Sequence, residues 1–288
     1  MEVRTITFPA KGLFSLLRLP YWLMTGGLSL ITAFALSQDS INIQTVLLIF
    51  FSMAFITSAG FAINDYFDRE SDAVIKPNRP IPSGLFTLKS VIVISGLLFI
   101  VGLGLAFLIN WLSFVILLVD SILLIVYSAV VKRKSGFAAN ILVGLLVGTA
   151  FIYGEATIFQ QISLVSISLY PIGLGTISGN ILRDVLSLKG DSKVGYPTLP
   201  KEIGIKNSVR ISAFFLLMTA LFAPLPFFII PFGVPYLVLI SFWSILLFYA
   251  SVRLLISSSA VENVKKYERM VTMSMTLLLL SLILEAIL

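Results

Sequence analysis

Apolar residues fill the chain in long runs, separated by polar stretches that are mostly short. Nine runs reach the length of about 20 residues that a helix needs to cross a bilayer. They lie near residues 13–36, 45–63, 88–109, 111–131, 137–154, 162–182, 209–230, 234–256 and 269–288. The pattern predicts an all-α polytopic membrane protein of nine transmembrane helices, forming a single membrane-embedded domain over 1–288. The runs at 137–154 and 162–182 are rich in Gly and Ser, which suits close helix packing in lipid. Pro171, Pro224 and Pro226 predict kinks in the sixth and seventh spans. Two connections stand out as long, near 64–87 and 183–208, and such segments in a compact bundle are commonly functional.

Few polar residues interrupt the runs. Asp120 falls midway through the fourth span, where an ionised carboxylate costs on the order of 3 kcal/mol. A Ser or Asn of a neighbouring helix is its expected partner. Glu155 and Glu285 fall at the far ends of their spans and are expected at the external interface.

Composition reinforces the membrane reading. The 288 residues are 58% hydrophobic and 12% charged, with mean hydropathy +1.04, whereas soluble domains carry about 25% charged residues. There is no His and no Cys, so imidazole and thiolate catalysis, zinc sites of the usual kind, haem ligation and disulfides are excluded. Oxygen ligands and cations remain.

The twenty Lys and Arg fall in the N-terminal tail or in alternate connections. The intervening stretches 37–44, 110, 155–161 and 231–233 have none. By the positive-inside rule the N-terminus and both long connections are cytoplasmic, and the C-terminus is external. A plasma membrane is the expected host. The tail MEVRTITFPAKG lacks a small-residue cleavage site, so the first span is expected to be retained. Topology accounts for the net charge of +6, and no nucleic-acid partner is expected.

The first long connection opens NDYFDRESDAVIKPNRPIPSG, residues 64–84. On a helix, Asn64, Asp65, Asp68 and Asp72 project from one face. Carboxylates that close repel one another, and a hard divalent cation resolves the conflict. Mg²⁺ selects such oxygen ligands and usually keeps part of its shell for phosphate. The plain alternative is a solvated acidic helix end. Recurrence weighs against it: the second long connection places Asn180, Asp184, Ser187 and Asp191 on one helical face. Asn64, Asp68 and Ser71 match Asn180, Asp184 and Ser187 in spacing, a short echo that hints at duplicated halves.

Two acidic clusters facing one cavity could hold two Mg²⁺ on a diphosphate and assist departure of pyrophosphate. Arg69, Lys76, Arg79, Lys132, Arg133 and Arg183 are the candidate cations for the anion, each with a positive-inside role as its alternative. Arg79, in the Pro-rich turn, is the strongest of these, followed by Lys132. A hydrophobic bundle with 23 Phe can hold a long isoprenoid tail and shield a carbocation from water.

At these residues the chain resembles the UbiA superfamily of intramembrane prenyltransferases. NDYFDRESD is similar to the family motif NDxxDxxxD at Asn64, Asp65, Asp68 and Asp72, and PNRPIPSG continues it at Asn78, Arg79, Pro80, Pro82, Ser83 and Gly84. YSAVVKRK resembles the family's Tyr…Lys-Arg segment at Tyr127, Lys132 and Arg133. The resemblance implies helices around a central cavity open to cytoplasm and lipid. It also implies Mg²⁺-dependent transfer of a prenyl group from a polyprenyl diphosphate to a lipophilic acceptor. Asn64, Asp68, Asp72, Asp184 and Asp191 would hold the metal, and Asp65, Asp68, Asp72, Asp184 and Asp191 would serve catalysis. Arg69, Arg79, Lys132, Arg133 and Arg183 would bind the diphosphate.

Ser187 stands where the family often has an acid, and with Gly190, Asp191 and the TLP segment it resembles the chlorophyll-synthase branch. Archaeal ether-lipid synthases usually carry Arg-Glu where this chain has Gly179 and Asn180. Abundant cytoplasmic cations and the short chain favour geranylgeranylglyceryl phosphate as acceptor. An aromatic quinone precursor or a tetrapyrrole is the alternative within the family. A secondary transporter, for which Asp120 would be the pertinent residue, is the alternative of another class, and a paralogue that binds isoprenoid lipid without catalysis is a third.

Overall fold

The computed structural model describes residues 10–37, 40–195, 197–230, 232–256 and 261–287. Among them there is no strand, and the helices follow one another along the chain. They are α1 (Ala10–Leu17), α2 (Pro20–Leu36), α3 (Ile43–Ile75), α4 (Leu88–Ile109), α5 (Trp111–Val126), α6 (Lys132–Lys134) and α7 (Gly136–Phe159). Then come α8 (Leu164–Leu169), α9 (Leu174–Val194), α10 (Leu199–Ile203), α11 (Ile205–Phe222), α12 (Pro226–Ile229), α13 (Val234–Ile256) and α14 (Val261–Ile287). A π-helical turn, Tyr127–Val131, joins α5 to α6, and a 3-10 turn, Tyr170–Gly173, joins α8 to α9. Counted as continuous rods, eight are long and apolar enough to cross a membrane, and the 17-residue α2 is a shorter ninth. The protein is an integral membrane protein.

Polar caps start many of these apolar rods. Asn42 Oδ1 accepts from the Thr45 amide at 2.9 Å, Thr87 Oγ1 from Ser90 at 3.1 Å and Ser135 Oγ from Ala138 at 3.3 Å. Such caps satisfy amides that the helix itself leaves unpaired. Asn110 alone separates α4 from α5. Its side-chain oxygen caps Ser113 at 2.8 Å, while its amide donates to the Ala156 carbonyl of α7 at 2.8 Å.

The rod α3 packs against α2 and α4 and also touches α5, α7 and α9. The main core includes Ile49, Met53, Tyr153, Trp243 and Tyr267. Outward residues such as Ile100 at 69% and Leu108 at 70% exposure are the apolar coat that lipid covers.

Several expected boundaries move. The first span is two helices, broken where Pro20 starts α2, because proline cannot donate to the preceding turn. Prolines also mark the breaks at Tyr170–Gly173 and after Phe222, as expected for kinks. The acidic stretches expected as loops are largely helix: α3 continues to Ile75 and α9 to Val194.

Candidate active site

Helical continuation of α3 keeps Asn64, Asp65, Asp68 and Asp72 on one face, as the spacing predicts, and all three carboxylates are buried. Buried carboxylates need compensation, and cations supply it from three directions. Asp65 Oδ1 accepts from Arg18 and from Arg79, each at 2.6 Å. Arg79 also donates to Asp72 Oδ2 at 3.0 Å. The Lys132 ammonium donates to Asp68 Oδ2, which also accepts from the Asn64 amide at 2.9 Å. The Asn64 carbonyl oxygen is buried and has no hydrogen-bond partner.

Local folding explains how each cation arrives. The PNRPIPSG segment folds back on α3 through Ser83 N–H to the Arg79 carbonyl at 2.9 Å and Phe86 N–H to the Pro80 carbonyl at 3.1 Å. Gly84 sits at φ +76, a left-handed conformation that glycine adopts without cost. Phe86 then buries against Leu16, Ala62 and Val91, which fixes the turn and Arg79 with it. Lys132 follows the π-helical turn, whose extra residue rotates the chain away from its α-helical register. Lys76 caps α3, and partial desolvation together with the Arg79 guanidinium pushes its ammonium below the usual lysine value.

The other candidate cations lie beside the row. Arg69 donates to the Tyr66 carbonyl at 3.1 Å and pairs with Glu70. Arg133 donates to the Phe67 carbonyl at 2.7 Å. Arg183 donates to Asn180 and lies 4.0 Å from Glu268.

In the second cluster, Asp184 Oδ2 accepts from the Asn140 amide of α7 at 2.8 Å. The side chain of Asp191 lies outside the described residues. The segment from Lys132 to Asn140 touches both clusters, Lys132 at Asp68 and Asn140 at Asp184. Only eight residues separate them, two helical stretches joined at the extended Ser135, so both clusters occupy one end of the bundle, and α9 itself touches α3. Among the described residues, no three carboxylates gather closely enough to hold a metal by themselves.

Sequence reasoning missed two residues here. Arg18 reads as a topology marker at the start of the first span, and Asn140 as an incidental amide in a Gly-rich one. For Asn140, the position near the start of an otherwise apolar run was the available signal. Elsewhere, Asp120 accepts from Thr149 of α7 at 2.7 Å, a hydroxyl partner as expected, although from Thr rather than Ser or Asn. Glu155, expected at the interface, is instead 1% exposed, because the Ser163 amide at 3.0 Å and the Ser163 and Ser166 hydroxyls enclose it at the start of α8.

Comparison with known proteins identifies the family. The family model described as the UbiA prenyltransferase family matches residues 24–279. A digeranylgeranylglyceryl phosphate synthase from Natronomonas pharaonis is 35% identical over 230 residues, which is 80% of this chain and 82% of that protein. A solved structure of a digeranylgeranylglyceryl phosphate synthase in membranes aligns with TM-score 0.83 and 30% identity, over 96% of this chain and 98% of that one. A UbiA homolog from Archaeoglobus fulgidus bound to GPP and Mg²⁺ shares the fold, with TM-score 0.70 and 18% identity over 94% and 99% of the two chains. The chain belongs to the UbiA prenyltransferase family and is a membrane-embedded prenyltransferase.

Proposed function

We propose that the protein transfers a geranylgeranyl group from geranylgeranyl diphosphate to the glycerol hydroxyl of geranylgeranylglyceryl phosphate. In this reaction the prenyl C1–O bond breaks and its electron pair leaves with pyrophosphate. An ether bond forms to the hydroxyl oxygen, and the hydroxyl proton passes to the departing pyrophosphate. The observation that carries the reading is the buried acidic row of α3 with its cations at the same end as Asp184. Sequence identity to named ether-lipid synthases supports the choice of acceptor.

Mg²⁺ suits the donor set. The unpartnered carbonyl of Asn64 beside Asp68 is a hard oxygen donor. We assign metal binding to Asn64, Asp68, Asp72, Asp184 and Asp191, with two ions. Bound there, magnesium would offset the negative charge that grows on the leaving pyrophosphate. Arg79 and Lys132 would turn from their carboxylates to the phosphates, with Arg69, Arg133 and Arg183 as flanking charges. The apolar helices behind the row would keep water from the allylic centre. We place the N-terminus and this end of the bundle in the cytoplasm, the C-terminus outside and the protein in the plasma membrane, from the alternation of basic connections.

The test is transfer of labelled geranylgeranyl diphosphate by the full chain in vesicles, offered geranylgeranylglyceryl phosphate, a phenolic quinone precursor and a tetrapyrrole. Mass spectrometry should find the phosphate-bearing diether, lost on chelation of Mg²⁺ and reduced at least ~100-fold in Asp68→Ala. Full turnover by that variant would overturn the site, and product from another acceptor alone would overturn the acceptor.

A further inference from the structure

Arg18 stands at the break between α1 and α2 with φ +50, in the left-handed region that disfavours a residue with a side chain. Three features hold it there. Leu16 is fully buried against Ala62, Phe86 and Val91. The Ser58 hydroxyl of α3 donates to the Leu17 carbonyl at 2.9 Å, and Trp22 Nε1 donates to that same hydroxyl at 2.6 Å. The guanidinium lies 4.3 Å over the Phe61 ring, with one amino group on Asp65 Oδ1. This much scaffolding fixes one arginine beside the acidic row while leaving its side chain 20% exposed.

Arg18 and Lys132 approach the row from different helices. Lys132 comes from the α5–α6 side and belongs to the segment that also reaches Asp184. Arg18 comes with α1 and α2, which pack on α3 but, among the described residues, make no comparable contact with α9. A diphosphate gripped between α3 and α9 would therefore be served by Lys132, while Arg18 reaches the row from the α1–α2 side, on the Asp65 oxygen that Arg79 shares. A guanidinium carries five N–H donors, so one bond to Asp65 leaves most of its capacity for an anion. Beside it, α1 exposes Leu13 at 37% and Phe14 at 58%, an apolar surface suited to lipid.

We propose that Arg18, oriented by Asp65, binds the phosphate monoester of the acceptor lipid and so selects a phosphorylated acceptor. The inference rests on the reading of the acceptor as a glyceryl phosphate. Asp65 then holds two guanidiniums with separate tasks, Arg79 for the diphosphate and Arg18 for the monoester.

The full chain in vesicles would be assayed with saturating geranylgeranyl diphosphate and either geranylgeranylglyceryl phosphate or the same lipid without phosphate. Arg18→Gln should raise KM for the phosphorylated acceptor ~10–100-fold, the loss of a charge-assisted pair. Its KM for the diphosphate should stay within about twofold, and Arg18→Lys should recover part of the loss. The phosphate-free lipid should be used equally poorly by the parent protein and by Arg18→Gln. An equal rise in KM for the diphosphate, an equal loss with both acceptors, or no change with the phosphorylated one would overturn the proposal. Ser58→Ala, which keeps the arginine but loosens its turn, should give a smaller shift in the same direction, and a shift in the diphosphate KM instead would also count against it. Refusal of the phosphorylated acceptor by the parent protein would overturn the acceptor reading, and this inference with it.

Discussion

Asp65 and Asp120 are both buried carboxylates, and their surroundings give them opposite meanings. Asp65 accepts two guanidiniums at 2.6 Å, whereas Asp120 accepts a single hydroxyl, that of Thr149, at 2.7 Å. A hydrogen bond of the second kind between membrane helices contributes about 0.6 kcal/mol and reaches about 1.7 kcal/mol at most. It ties α5 to α7 and lies apart from the cationic row. Asp120→Asn preserves shape and can still accept from Thr149. Its prenyl-transfer rate should stay within about twofold of the parent, while Asp120→Ala should lower thermal stability by roughly 1 kcal/mol. Rates from vesicle assays and unfolding followed by fluorescence would check both.

At the scale of elements, α7 and α9 meet through glycine. A methyl group on Gly144 would come within 2.2 Å of Ile177 Cγ1, and one on Gly173 within 2.6 Å of the Gly144 carbonyl. Asn140 lies one helical turn before Gly144, on the face that reaches Asp184. Gly144→Ala should therefore push α9 away, cost about 1–3 kcal/mol of stability and weaken the Asn140–Asp184 bond. A lowered unfolding temperature with transfer activity reduced beyond that of Asn140→Ala would bear this out. Much of this architecture can be read from the residues. The i, i+4 spacing of Asn64, Asp68 and Asp72 survives intact, and each apolar run except the first, which breaks at Pro20, corresponds to a continuous rod. What escapes is local. Apolar patterning stops near residue 63, yet α3 runs on because ion pairs stabilise its last turns. The π-helical turn before Lys132 and the left-handed turn at Arg18 leave no periodic trace, since each is fixed by contacts with α3.

For the whole molecule, the absence of cysteine in the sequence offers a direct reading of orientation. A single cysteine at exposed Glu202, beside the active-site end, or at exposed Ser40 would be the sole thiol. An impermeant maleimide applied to intact cells should label Ser40→Cys and spare Glu202→Cys until the membrane is opened. The reverse pattern would invert the topology.

The ion pairs at Asp65, Asp68 and Asp72 have a consequence for turnover. Each carboxylate already has a resident counter-charge, so in the proposed reaction an arriving metal ion would replace arginine and lysine on the acids, and the diphosphate would take up the side chains so released. Run backwards, the same exchange would let the carboxylates reclaim arginine and lysine from spent pyrophosphate, so the protein would carry its own displacing agent for product departure.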